Sequence, residues 1–319
     1  MNSKPPTLEE WRHLYDVVSK IKALSPWQWM EETDIFGVKN PETGEIGFVS
    51  TMGKMGEHYA IAVYRGNEGL YGFWELHDTS YYSSPEKILE VPQIQVSFEN
   101  RKSLQKKDLE TIKQLGIKFK GVNAWPMFRS FKPGKAPWYL ESEEVRFLTC
   151  VLEQTLDVAS RFKQNEDILM PGDDDDYLIR EAQKQPNGTL KWKDAVVKIT
   201  PPEPISIPIP MDYQSLAALK GLPQNQMTLE LDFFLLAVPV KEKEERPYYP
   251  YLMLMVDEKS GLILDSEMLV PEVDIETMWG LIPVTFVYML LNLKLVPSTV
   301  CVRNPLLFDL LEPLSEDLE

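Results

Sequence analysis

Residues 249–311 constrain this chain most, because dense apolar runs there alternate with sharp turn chemistry. Residues 249–256 (YPYLMLMV) are an apolar run too short for a helix and suited to a buried strand. Asp257, Ser260 and Gly261 supply a turn: the first two bond their own backbone and the glycine tolerates positive φ. Residues 261–270 return as a second strand. Pro271, Glu272, Asp274 and Glu276 then read as a helix start, where negative charge offsets the N-terminal dipole. That helix is expected to run to about Leu293, and Pro297 bars its continuation.

Between Glu276 and Lys294 there is no charge, a span close to the shortest that crosses a bilayer. Pro283, Thr285 and Asn292 interrupt it, and no basic cluster anchors either end, so the expectation is a buried core helix. A short strand at 298–302 follows, and Asn304-Pro305 starts a last helix, Asn as cap and Pro in its first position. With residues 227–238 as a preceding strand, this half reads β-β-β-α-β-α, behind a short helix at 213–220.

The N-terminal half is also mixed. Thr7 and Glu10 form a capping box, and Leu8, Trp11, Leu14, Tyr15, Val18 and Ile21 follow at helical spacing, which predicts a helix over 8–24. Ser25-Pro26 ends it, and Trp27 and Trp29 are expected over the core. Strands are predicted at 35–39, 46–52, 59–64 and 93–98, with a helix around Leu70 and another over 107–115 closed by Gly116. A long helix over 142–163, with Ser142 as its cap, precedes a hairpin of 177–184 and 189–199. The fold class is therefore α+β in two domains, each an antiparallel-rich sheet packed by helices. The domains are 1–200 and 211–319, joined by the proline-rich segment 201–210. The order hairpin, strand, helix, strand, helix in the first half resembles the plan of the second, which a distant duplication and chance agreement between common α+β plans explain equally well; different strand orders in the two sheets would exclude duplication.

The chain has 319 residues and a net charge of −16, which disfavours nucleic acid as a non-specific partner. No apolar signal core opens it, so a cytoplasmic protein is expected. Cys150 and Cys301 lie far apart in apolar stretches and read as small core residues. His13, His58 and His77 are not at metal-ligand spacing, and nothing calls for a cofactor or metal.

The positive charge is gathered in one place. Residues 101–135 carry ten basic residues against Asp108 and Glu110. Arg101, Lys102, Lys106, Lys107, Lys118, Lys120 and Arg129, interleaved at the end with Trp125, Phe128, Phe131 and Trp138, are the candidate anion or nucleic-acid patch. The competing reading is a solvated helix face followed by core aromatics. Gly53, Lys54, Gly56 and His58 are the small-ligand candidates, a glycine turn with one lysine and one imidazole that lacks the ending of a P-loop. Asp173-Asp174-Asp175-Asp176 lacks the spacing of a calcium loop and reads as a solvated acidic turn, as 241–246 reads as a charged loop.

Two motif groups carry a resemblance. Gly53, Gly56, Glu57, His58 and Tyr59, followed by 63–70 (VYRGNEGL), resemble the N-terminal module of an uncharacterised bacterial two-module family. Residues 256–264 (VDEKSGLIL) with 302–305 (VRNP) resemble its C-terminal module. The resemblance implies the two-module layout and carries over neither an activity nor a catalytic residue.

Three functions fit these observations. The first is a non-catalytic binding protein whose partner is another protein or a second copy. The second is a nucleic-acid-processing protein with a degenerate ribonuclease H-like second domain, whose Glu230, Asp232 and Glu276 would have to converge with Asn304 or Asp309. The third is a small-ligand sensor using the glycine turn. No membrane association is expected.

Overall fold

A computed structural model of the chain describes residues 4–78, 85–173, 175–241 and 245–318. Asp174 of the acidic run and 242–244 of the charged loop lie outside the described residues. The chain divides into two compact units, 1–132 with 137–203 and 133–136 with 204–319.

The first unit opens with α1 (Leu8–Leu24), followed by β1 (Phe36–Lys39), β2 (Ile46–Met52) and β3 (Ala60–Arg65). Next come α2 (Gly66–His77), β4 (Gln93–Glu99), α3 (Lys106–Leu115), β5 (Trp125–Lys132) and β6 (Lys135–Trp138), the first two residues of which are counted with the second unit. The long α4 (Ser142–Phe162) and the hairpin β7 (Asp176–Lys184) and β8 (Leu190–Lys198) complete it. The strands join in the order β6-β5-β4-β3-β2-β1-β7-β8. β1 to β5 form an antiparallel meander, whereas β7 joins β1 in parallel, with Gly37 opposite Ile179.

Strand alternation loads both faces of this sheet. Ile61, Val63, Ile94 and Val96 meet α1, α3 and α4 through Leu14, Val18, Ile112 and Leu148. Ala62, Tyr64 and Phe48 point the other way, onto Leu70 and Phe73 of α2. Trp27 is buried, and Trp29 packs half-buried against the same core with its indole N–H donating to the Ala159 carbonyl at 3.0 Å. β8 forms one margin of the sheet and exposes Lys191, Lys193 and Lys198.

The start of α4 corrects the sequence expectation. Its cap is Glu141, and the Glu144 carboxylate accepts from the Glu141 N–H at 2.9 Å to complete a capping box. Ser142 is the first helical residue, and its hydroxyl donates to Glu10 at 2.7 Å. A carboxylate reaching back one turn satisfies the helix end and releases the serine to bridge to α1.

Glu10 accordingly collects donors. Burial would raise its carboxyl pKa, but hydrogen bonds from the Thr7 backbone, Ser142, Arg146 and the Thr7 hydroxyl outweigh that and hold it at about 2. A carboxyl depressed on folding stabilises the native state above its unfolded pKa and loses that contribution as pH falls through the folded value. Urea denaturation between neutral pH and pH 2 should therefore show wild type losing about 2 kcal/mol more than Glu10→Gln. Parallel pH profiles would refute this.

The second unit contains α5 (Tyr213–Lys220), β9 (Gln224–Leu235), β10 (Tyr251–Asp257) and β11 (Ile263–Leu269). α6 (Ile275–Gly280), α7 (Ile282–Leu293), β12 (Val296–Val302) and α8 (Pro305–Leu318) follow. Its strand order is β11-β10-β9-β12, antiparallel except that β12 lies parallel to β9. This is the connectivity with which the ribonuclease H-like topology begins. One face of the sheet, with Leu229, Leu231, Phe233, Met253 and Met255, packs on the helices through Leu219, Met278, Phe286 and Leu310. The other face presents Glu230, Asp232 and Phe234.

Two further expectations are corrected here. The uncharged helix is broken at Leu281, with Pro283 accommodated in the first turn of α7, where no amide hydrogen is needed. By length and apolarity Ile275–Leu293 matches a membrane-crossing helix, yet 56% of it is buried inside the structure. The duplication also fails. β4 pairs antiparallel with β3, whereas β12 crosses over to lie parallel to β9, so the strand orders of the two sheets differ.

The proline-rich segment has no regular structure, but from Pro204 onward it belongs to the second unit. Ile207 packs on that unit's core. A Cβ placed on Gly280 would stand 2.2 Å from the Pro208 carbonyl oxygen, so the helix accepts the segment only at a glycine.

Candidate functional site

The glycine turn is real but occupied by its own neighbours. Gly53 and Gly56 have φ of 129° and 83°, and the Gly56 N–H donates to the Gly53 carbonyl at 3.0 Å. Lys54 is paired with Glu31. His58 has the Gln95 amide nitrogen 3.2 Å from Nε2 and a Glu99 oxygen 4.0 Å from Nδ1. Lysine and imidazole thus each face a group of this same chain.

The basic run separates into two parts. Arg129 is buried, and its guanidinium donates to both oxygens of Asp108 at 2.9 and 2.8 Å. It is a structural ion pair and drops out of the surface patch. Arg101, Lys102, Lys106, Lys107, Lys113, Lys118 and Lys120 remain exposed on and beside α3. Lys106 reaches Glu110 at 3.7 Å; among the described residues the other six form no ion pair. Elsewhere in the unit Lys39, Arg65, Arg146, Arg161 and Arg180 are all paired with carboxylates. Of the interleaved aromatics, Phe128 is core and Trp125 packs against it, with the Arg101 guanidinium 5.8 Å from its ring.

Beside this face lies a cleft of about 470 Å³, between the segment leading into α1, the exposed side of α3 and the chain after β6. Leu8, Trp11 and Leu140 supply apolar wall, and Lys4 and Lys107 supply charge. Lys107 sits 4.4 Å from the Tyr139 ring centre and Arg129 4.9 Å from it, while the Tyr139 hydroxyl donates to Gln105 at 2.5 Å. The N-terminal wall is tied down by the Ser142 N–H, which donates to the Lys4 carbonyl at 3.0 Å. Sequence reasoning missed Lys4, Leu8 and Trp11 as site residues. They meet α3 only through tertiary packing, and no spacing announces it.

The acidic groups of the second unit divide between opposite sides of its sheet. Glu230 and Asp232 project from the exposed face of β9, whereas Glu276 lies on α6, which packs on the other face. The Asp232 carboxylate accepts from the Phe233 N–H at 2.9 Å, and the Asn304 side chain caps α8 by accepting from Leu306 N–H at 3.0 Å. Among the described residues no three His, Cys, Asp or Glu side chains gather as metal ligands would. The cysteines part company too. Cys150 is half-buried and its thiol is pushed up to about 12, whereas Cys301, expected in the core, is exposed on β12 beside Glu230.

Residues 11–180 match the family described as Domain of unknown function (DUF7309), and residues 215–319 match Domain of unknown function (DUF6930). No curated protein and no solved structure matches the chain. The two matches fall one on each half, as a two-module protein requires, and neither description names an activity. The first spans more than half of the sequence, and the chain belongs to the DUF7309 family.

Proposed function

We propose that this chain is a non-catalytic binding protein whose first unit offers the cationic face around α3 to an acidic partner, either another protein or a second copy. The observation that supports this is the row of Arg101, Lys102, Lys107, Lys113, Lys118 and Lys120, exposed and without ion-pair partners among the described residues. The chain carries 49 acidic residues against 33 basic, so internal neutralisation was available and is used elsewhere. Leaving six cations unneutralised on one face steers an acidic surface toward it and fixes its register. Nucleic acid is the weaker reading, because the net charge of −16 repels phosphate beyond the face.

Fluorescence anisotropy of the full chain with a labelled oligoglutamate tests this. Binding should weaken as salt rises and should fall roughly tenfold in the triple variant Lys102→Glu, Lys118→Glu, Lys120→Glu. Absence of binding, or equal affinity in the variant, would refute the proposal.

A further inference from the structure

The cleft beside α3 contains four charged groups, and they are not equivalent. Glu110 already has Lys106 at 3.7 Å, and Glu141 has Lys132 at 3.5 Å. Lys4 and Lys107, by contrast, have no carboxylate partner among the described residues. The lining itself is balanced, two lysines against two glutamates, and the positive excess around the cleft comes from Lys106 and Lys132, which pair with those glutamates from outside it and leave Lys4 and Lys107 to meet an entering anion. Its wall includes Leu8, an exposed leucine at 50% relative exposure, beside the half-buried Trp11. Water against such a wall is released when an apolar group covers it.

From this we infer that the cleft is an anchor pocket for a short acidic segment of a partner protein: one large apolar side chain lies against Leu8 and Trp11, and the segment's flanking carboxylates lie on Lys4 and Lys107. The inference rests on the reading of the cationic face as a docking surface, and it specifies where on that face the partner is held. Three observations choose this occupant. Charge complementarity requires an anion, and the apolar wall requires something that is not uniformly charged. The volume, about 470 Å³, is in the range of sites that take a few side chains or a small ligand. Stacking of a nucleobase on Tyr139 is disfavoured because that ring already holds Lys107 and Arg129 against it and has its hydroxyl bonded to Gln105.

The pocket is also preformed. The Lys4 carbonyl is bonded by the Ser142 N–H, and the Thr7–Glu10 capping box fixes the entry of α1. A partner therefore meets a wall that does not have to be ordered on binding, which limits the entropic penalty of association.

Two labelled probes test the idea on the full chain by anisotropy: oligoglutamate, and the same peptide with one central phenylalanine. The phenylalanine peptide should bind roughly tenfold more tightly, because burying a ring adds its transfer energy to the same electrostatics. Leu8→Ser should abolish that advantage, read as the ratio of the two peptides' affinities for the same variant; Leu8 is 50% exposed, so little stability is lost. Lys107→Glu should weaken both peptides. Equal affinity of the two peptides for wild type would overturn the anchor pocket while leaving the cationic face standing. Failure of both peptides to bind would overturn both readings. An oligothymidylate that binds more tightly than the phenylalanine peptide, and is lost with Lys107→Glu, would assign the cleft to nucleic acid and overturn the inference.

Discussion

Replacing Asp108 by alanine is expected to destabilise the first unit by about 3–5 kcal/mol. The side chains of Asp108 and Arg129 are 7% and 9% exposed, and the guanidinium is held by two parallel hydrogen bonds. Removing the carboxylate leaves a buried cation with only the Phe128 carbonyl at 2.6 Å and the Tyr139 ring to answer it. The aspartate also accepts from the Gln105 N–H at 2.9 Å, so the start of α3 loosens at the same time. Urea denaturation should show a lower midpoint at unchanged slope. The double variant Asp108→Leu, Arg129→Met should recover most of the loss, since a well-packed apolar pair can replace a buried ion pair. A single variant within about 1 kcal/mol of wild type would mean that the pair does not hold α3 to β5.

Gly280→Ala is expected to cost about 3 kcal/mol, an unusually large effect for one added methyl group. The new Cβ would meet the Pro208 carbonyl oxygen at 2.2 Å, and the next contact is the same residue's carbonyl carbon at 3.3 Å. Both partners are backbone, so no rotamer change relieves the overlap. Either α6 shifts from the core or the segment lifts from the helix and uncovers Ile207. Thermal denaturation reads the first outcome, and increased proteinase K cleavage within 200–210 reads the second. A variant with wild-type stability and wild-type digestion would show that the segment does not press on this glycine.

Much of the fold was legible because short-range chemistry dictated it. Thr7, Glu10 and Ser25 bound α1 at both ends, and α5 runs over Tyr213–Lys220, ending before Gly221. Illegible features depended on partners distant in sequence. Arg129 looked like a surface cation because it falls within the basic run 101–135, and only folding brings Asp108 to it. Ser142 has the chemistry of a cap, but two glutamates three residues apart outbid it. The uncharged helix kept its composition and lost its continuity at a Gly-Leu step, where Pro283 sets a new start. The glycine turn was correctly placed, yet its lysine and histidine proved committed to neighbours that the linear pattern could not supply. The cleft was the least legible of all, since its walls come from three separate segments.

The lysine-bearing margin at β8 bears on one route by which strands add to a sheet. Any further strand laid alongside β8 would have to desolvate the Lys191 ammonium and disturb the pairs Lys193–Glu181 and Lys198–Asp175. Ribbon-like polymerisation by strand addition is thereby discouraged at that border.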